Sequence, residues 1–177
     1  MVKMKFYFSL IAFFAIFSLG AQTIKVTEDV ELEYYHSTYA SIYADNVGLA
    51  DIGYQGYLNY GLNDKLSLNL GLNPSLMANG YNSFDLFIPL TVGFNYGKRG
   101  FDRQVPATER FGLFTNVGVG PNYGIVNSET RAIASFLELG IRTRFRGSDI
   151  SWSFVTLNRG GMAIPGVRVT YGLPSLD

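Results

Sequence analysis

Apolar and polar residues alternate along most of this chain, from Asp51 to Tyr171. The clearest stretch is Leu66-Ser67-Leu68-Asn69-Leu70-Gly71-Leu72-Asn73. Successive side chains of a strand point to opposite faces, so one face here is pure Leu and the other small and polar. The rhythm predicts strands over residues 51–62, 66–73, 84–96, 111–123, 132–145, 150–157 and about 164–171. An eighth, weaker strand is expected at 26–36. There Val26, Val30, Leu32 and Tyr34 share a face that Glu28 interrupts. Residues 37–50 then read as a long loop, unless 39–43 is itself strand.

Eight strands is an even count, as single-chain bacterial barrels have, and most are long enough for a tilted membrane crossing. The expected fold is therefore all-β: an eight-stranded antiparallel up-and-down transmembrane β-barrel. The polar face favours this over a soluble barrel. It carries Gly, Asn and Ser, which suit a narrow interior, where a water-facing wall would carry Lys, Glu and Thr. Aromatic residues sit toward strand ends (Tyr54, Tyr60, Phe84, Tyr96, Phe111, Tyr123, Phe145, Tyr171), where interfacial girdles place them. Pro89 removes a ladder donor inside strand 84–96, so a bulge or kink is expected there.

The N-terminus adds a compartment. Lys3 and Lys5 precede an apolar run over residues 6–19, followed by Gly20-Ala21-Gln22. That is the plan of a signal peptide over 1–21, leaving a barrel domain over 22–177. The apolar run falls short of the roughly 20 residues of a spanning helix. Without Lys3 and Lys5 the 14 basic residues become 12 against 14 acidic ones, a net of −2, which gives no nucleic-acid signature. The chain has no cysteine, which excludes disulfides and Cys-ligated zinc.

Candidate chemistry is sparse. The inward phase collects Glu31, Glu33, Asp51, Asp85, Glu138, Arg142, Arg144 and Arg168. An eight-stranded interior is just wide enough to be filled by side chains, so these charges are expected to pair across it. Closure would set Glu31 or Glu33 near Arg168. His36, the single histidine, adjoins Ser37 and lies close to Glu33. A His-Ser-acid set could serve a lipid-modifying enzyme, but neighbours on one strand diverge, and a rim histidine is the plainer expectation. Asp45-Asn46 with Asp51 lacks a calcium-loop pattern, and no metal or cofactor is expected.

The hairpin Tyr60-Gly61-Leu62-Asn63-Asp64-Lys65-Leu66-Ser67-Leu68-Asn69-Leu70-Gly71 resembles the periplasmic hairpins of many small bacterial outer-membrane barrels. The leader ending in Gly20-Ala21-Gln22 resembles those of Bacteroidota secreted proteins. In length and strand rhythm the whole chain resembles the eight-stranded OmpA/OmpX-like class. That resemblance implies an outer-membrane location, with membrane lipids and the barrel-insertion machinery as partners. Such barrels often end on an aromatic residue; here Tyr171 is followed by residues 172–177.

Short turns at 63–65 and 146–149 fit the periplasmic side. Loops 37–50, 78–83, 124–129 and 158–163 then face outward. This parity puts the basic segment 97–110 in the periplasm, with Lys98, Arg99, Arg103 and Arg110 available to headgroups or a periplasmic partner. The expected role is structural or interaction-based and non-enzymatic, through outward loops bearing Tyr39, Tyr43, Tyr81 and Arg159. A lipid-modifying enzyme, a narrow solute channel and a soluble carrier of apolar ligands stand as alternatives.

Overall fold

The computed structural model describes residues 23–27, 30–46, 48–63, 65–81, 83–97, 111–126, 131–145 and 148–172. The side chains of 23–27, 30–34, 131, 144, 145 and 148 fall outside that description, as do the expected leader and segment 98–110.

Eleven strands follow in chain order: β1 (Thr23–Thr27), β2 (Val30–Tyr43), β3 (Ala50–Gly61), β4 (Leu66–Leu72), β5 (Ser75–Ala78), β6 (Phe84–Phe87), β7 (Leu90–Tyr96), β8 (Phe111–Val126), β9 (Arg131–Phe145), β10 (Ser148–Arg159) and β11 (Met162–Gly172). Both β4 and β5 pair with β3, and both β6 and β7 pair with β8. Each couple is one wall strand, interrupted at residues 73–74 and 88–89. Every pairing is antiparallel, and β11 returns to pair with β2. The wall is therefore a closed up-and-down ring of eight strands.

The register fixes its geometry. From Asn59 it passes Asn69, Gly93, Asn116, Glu138, Val155, Gly166 and Tyr43, the partner of Leu49 (N to O, 3.0 Å). Leu49 precedes β3 on the same chain line, ten residues from the start (59 less 49). Eight strands with that stagger tilt by about 40° and enclose a backbone radius of about 8 Å. Such a lumen holds side chains and little else.

The structure departs from the sequence reading near the N-terminus. Residues 37–43, expected as loop, are strand, and the connection to β3 is only residues 44–49. Tyr35, Ser37, Tyr39, Ser41 and Tyr43 alternate inward, all buried. The outer face of β2 here is Thr38, Ala40 and Ile42, too weakly apolar to announce a lipid-facing strand. The single strand expected at 26–36 is instead the end of β1 and the start of β2, joined as a hairpin.

Pro89 interrupts its strand, as expected, without disturbing the phase: Phe87, Pro89 and Thr91 all point inward and are buried. The interruption has a neighbour at Asn73-Pro74, which the sequence reading passed over. The last connection is the tightest. Gly160 and Gly161 have φ of 60° and 82°, the left-handed pair that a two-residue hairpin turn requires.

The ends of the barrel differ. β1, the turn at 62–65, the ends of β7, β9 and β11 and the starts of β8 and β10 share one end. The opposite, far end carries the connections 44–49, 79–83 and 160–161, with the end of β8 and the start of β9. The outside is apolar: thirty large apolar side chains are exposed among the described residues, including Leu70, Val92, Phe94, Leu139, Phe154 and Val167. Most polar side chains of the described strands are inside.

Candidate functional site

The lumen is the place where polar chemistry gathers, and β2, β3, β9 and β11 supply its centre. Arg168 is 2% exposed and sits among three partners. Its Nε donates to Ser41 Oγ (2.8 Å), Nη1 reaches Glu138 Oε2 (3.5 Å) and Nη2 reaches Asp51 Oδ2 (3.6 Å). The guanidinium lies over the ring of Tyr39 (4.0 Å to the centroid) and near that of Phe136 (5.1 Å). Two carboxylates and two aromatic faces thus hold one buried cation, and only such dense pairing makes a buried charge tolerable.

Glu138 is fully buried and satisfied on both oxygens. Ser153 Oγ donates to Oε1 (2.6 Å), and Asn116 Nδ2 donates to Oε2 (3.0 Å). The network runs on. Asn69 Nδ2 donates to Asn116 Oδ1 (3.2 Å), and Asn73 Nδ2 to the Tyr57 hydroxyl (2.7 Å). The Tyr43 hydroxyl donates to Asp51 Oδ2 (3.1 Å). Side chains from seven of the eight wall strands are tied together through the middle of the barrel.

Two other clusters flank this centre. Toward the end carrying the termini, Arg142 lies between the rings of Tyr35 (5.1 Å) and Phe114 (5.2 Å), while Asn95 Nδ2 donates to Asn59 Oδ1 and Ser67 Oγ. Toward the far end the lumen turns apolar. Tyr43, Leu49, Met77, Phe87, Ala134, Phe136, Val155 and Leu157 form a buried cluster against which Ile164 packs. Leu49 reaches in from the 44–49 connection, its amide held by Asp45 Oδ1 (2.7 Å). Above the cluster Arg159 pairs with Asp85, whose Oδ2 also accepts from Asn122 Nδ2 (3.5 Å).

The structure sorts the expected site residues. Asp51, Glu138 and Arg168 meet in one group, Asp85 meets Arg159 at the far end, and Arg142 lies apart between its two rings. Glu31 and Glu33 are not opposite Arg168. Their register partners are Lys25 and Thr23 on β1, whereas Arg168 faces Ser41, eight residues beyond Glu33 and roughly 26 Å along the strand. The side chains of Glu31, Glu33 and Arg144 lie outside the described residues. Of the expected loop contacts, Tyr39 and Tyr43 are lumenal (5% and 3% exposed), because their loop is strand. Arg159 ends β10 and turns inward to Asp85. Tyr81 is exposed, on the 79–83 connection.

His36 and Ser37 diverge. Ser37 points inward and donates to Gln55 Oε1 (3.1 Å), while His36 takes the opposite phase and is buried beside Tyr54, ring centroids 6.1 Å apart. Among the described residues no three His, Cys, Asp or Glu side chains cluster to hold a metal ion. The residues that the sequence reading did not single out are mostly neutral: Ser41, Tyr57, Asn69, Asn73, Asn116 and Ser153. Their inward phase was legible; their mutual contacts were not, since these join strands up to 59 residues apart.

Protein families and curated proteins yield no match to this chain. Solved structures yield several of similar fold. The N-terminal β-barrel domain of Pseudomonas aeruginosa OprF is 14% identical, with a TM-score of 0.46 over 79% of this chain and 96% of that one. Ail of Yersinia pestis, solved with the heparin analogue sucrose octasulfate, is 13% identical, with a TM-score of 0.47 over 80% and 97%. Neisserial surface protein A is 13% identical, with a TM-score of 0.47 over 78% and 94%. The eight-stranded closure of this chain stands on its own strand register, and its architecture is the small up-and-down barrel.

Proposed function

We propose that this chain is an integral outer-membrane β-barrel with a filled, closed lumen, non-enzymatic, acting as a structural or interaction module of the cell envelope. The observation that carries this is the inverted distribution of polarity. The Leu, Val, Ile and Phe face is outside and the Asn, Ser and Tyr face is inside. Thirty large apolar side chains facing water would be an aggregation surface far larger than soluble monomers tolerate. Facing hydrocarbon they are at home, and a closed barrel leaves no backbone edge unpaired there. Exposed aromatics near the strand ends, among them Tyr60, Tyr96, Phe111, Tyr123 and Tyr171, match the two interfaces.

On this reading the end with the short turns at 62–65 faces the periplasm and the far end faces outside the cell. The far-end connections are short, so an outward partner would meet a low rim, with Tyr81 as its most exposed aromatic, and not long projecting loops. The apolar cluster around Leu49 and Leu157 and the Arg168 group both span the lumen, which disfavours solute passage. A soluble carrier of apolar ligands would need the Leu face inside.

The test is heat-modifiability of the membrane fraction on SDS gels. A faster unboiled band, released by detergent and not by carbonate, is expected. A soluble protein without a shift overturns the reading. Flat planar-bilayer traces are expected as well, and unchanged lipid A by mass spectrometry in expressing cells.

A further inference from the structure

Three prolines line up across the wall. The carbonyls of Pro74, Pro89 and Pro121 accept backbone bonds from Tyr54 (2.9 Å), Asn73 (3.1 Å) and Ile88 (3.1 Å). In a hydrogen-bonded antiparallel pair the two residues exchange two bonds. Proline has no N–H, so each of these three pairs keeps one. The deficits fall on successive ladders, β3 to β4/β5, β4/β5 to β6/β7, and β6/β7 to β8. Two of the strands are interrupted there, at residues 73–74 and 88–89, while β8 runs through Pro121 without a break.

Beyond this line stands the β5–β6 hairpin, four residues a side, held to β3 and to β8 by four register pairs each. The pairing to β8 shifts register between Phe84 and Asp85. Its inner face puts Met77 and Phe87 into the apolar chamber, with Tyr43, Leu49, Phe136 and Leu157. Its one ionic tie is Asp85, paired with Arg159 on β10. That tie is unevenly built: Oδ2 serves both Arg159 and Asn122, while the buried Oδ1 has no hydrogen-bond partner among the described residues. The Arg159 side chain is 21% exposed, so on release it reaches water at the rim.

We propose that the β5–β6 hairpin is a hinged flap in the barrel wall, latched by Asp85 on Arg159, and that its opening admits a lipid acyl chain sideways into the apolar far-end chamber. The occupant follows from position. Leu76, Leu86 and Phe84 lie on the flap's outer face, so what adjoins it on this reading of the barrel is hydrocarbon. As the flap swings it withdraws Met77 and Phe87, and the room they leave is walled mainly by Leu49, Phe136, Val155 and Leu157, with Asp51, the register partner of Met77, at its edge toward the Arg168 group. Segments with few ladder bonds and short flanks open below the global unfolding free energy, which gives the flap its own equilibrium.

The experiment uses the full chain in vesicles. Trp152→Phe with Met77→Trp leaves one tryptophan, in the chamber, and lipids brominated on their acyl chains quench it on contact. Adding Arg159→Gln or Asp85→Asn is expected to raise the quenching at least about twofold. The chain is cysteine-free, so Leu86→Cys with Tyr123→Cys, register partners across β6 and β8, forms a clean staple. Its oxidation is expected to return quenching to the parent value. Unchanged quenching in both latch variants, with the gel shift retained, overturns the flap and leaves the barrel intact. Loss of the gel shift in the parent chain removes the barrel reading itself. Hydrogen exchange on the unaltered protein is the second arm. Amides of β5 and β6 are expected to exchange at least about tenfold faster than those of β9 and β10; uniform exchange overturns the proposal whatever the variants do.

Discussion

Tyr39 donates its hydroxyl to the backbone carbonyl of Asn73 across the lumen, at 3.4 Å. That carbonyl is the one Pro89 leaves without a ladder donor, because the Asn73–Pro89 pair keeps a single bond. A side chain from β2 thus fills a backbone gap two wall strands away, while its ring carries the Arg168 guanidinium.

Tyr39→Phe keeps the ring and loses the hydroxyl. It is expected to cost about 1 kcal/mol of unfolding free energy, the scale of one buried hydrogen bond. Tyr39→Ala also strips the aromatic face from Arg168 and should cost at least about twice as much. Urea unfolding from detergent or short-chain lipid, read by the gel shift, checks the order. Equal losses would mean that the hydroxyl contact contributes nothing.

Arg168→Ala leaves Glu138 and Asp51 buried without their cation. A loss of about 3–5 kcal/mol is expected, as for other buried pairs broken on one side. Glu138→Gln in the same chain should recover part of it, since Ser153 and Asn116 still have an acceptor. Glu33→Gln should recover none, because β2 carries Glu33 eight residues from the Arg168 register position. A double-mutant cycle measures both couplings; additive losses for Arg168 and Glu138 would argue against the pair.

The apolar band on β4 and the far-end rim make a matched test. Leu70→Arg puts a charge on the apolar band and is expected to cost roughly 2–4 kcal/mol near the midplane. Tyr81→Arg, at the exposed far-end connection, should change stability by less than about 0.5 kcal/mol. Similar small effects at both sites would show that the Leu face does not meet lipid.

Gly118 faces the lumen against the Phe136 ring, and a Cβ built there would clash with the ring atoms Cε1, Cδ1 and Cζ. Gly118→Val is therefore expected to abolish the gel shift. Phe136→Ala in the same chain should restore it partly, by opening the space the ring occupies. No rescue by the second change would place the damage in the backbone of β8.

The sequence by itself determined the phase of this protein, and with it the wall. Alternation is a local property of two-residue period, so Leu66 to Leu72 or Phe84 to Tyr96 announce their faces without any partner. The inward residues of β3 and β9, from Gln55 to Arg142, are where that phase puts them. The reading failed where one face was too weak to show a period. Thr38, Ala40 and Ile42 are a poor lipid stripe, so from sequence only the start of β2 reads as strand, and residues 37–43, with Tyr39 and Tyr43, read as an outward loop.

Tertiary structure alone decided which inward groups meet. A stagger of ten residues round eight strands sets Arg168 opposite Ser41 and brings it to Glu138, 30 residues away in sequence, and not to Glu33. It also aligns Pro74, Pro89 and Pro121, which lie far apart along the chain, into one line of missing donors. Periodicity fixes the face of a residue; closure of the ring fixes its neighbours, and closure is a property of all eight strands together.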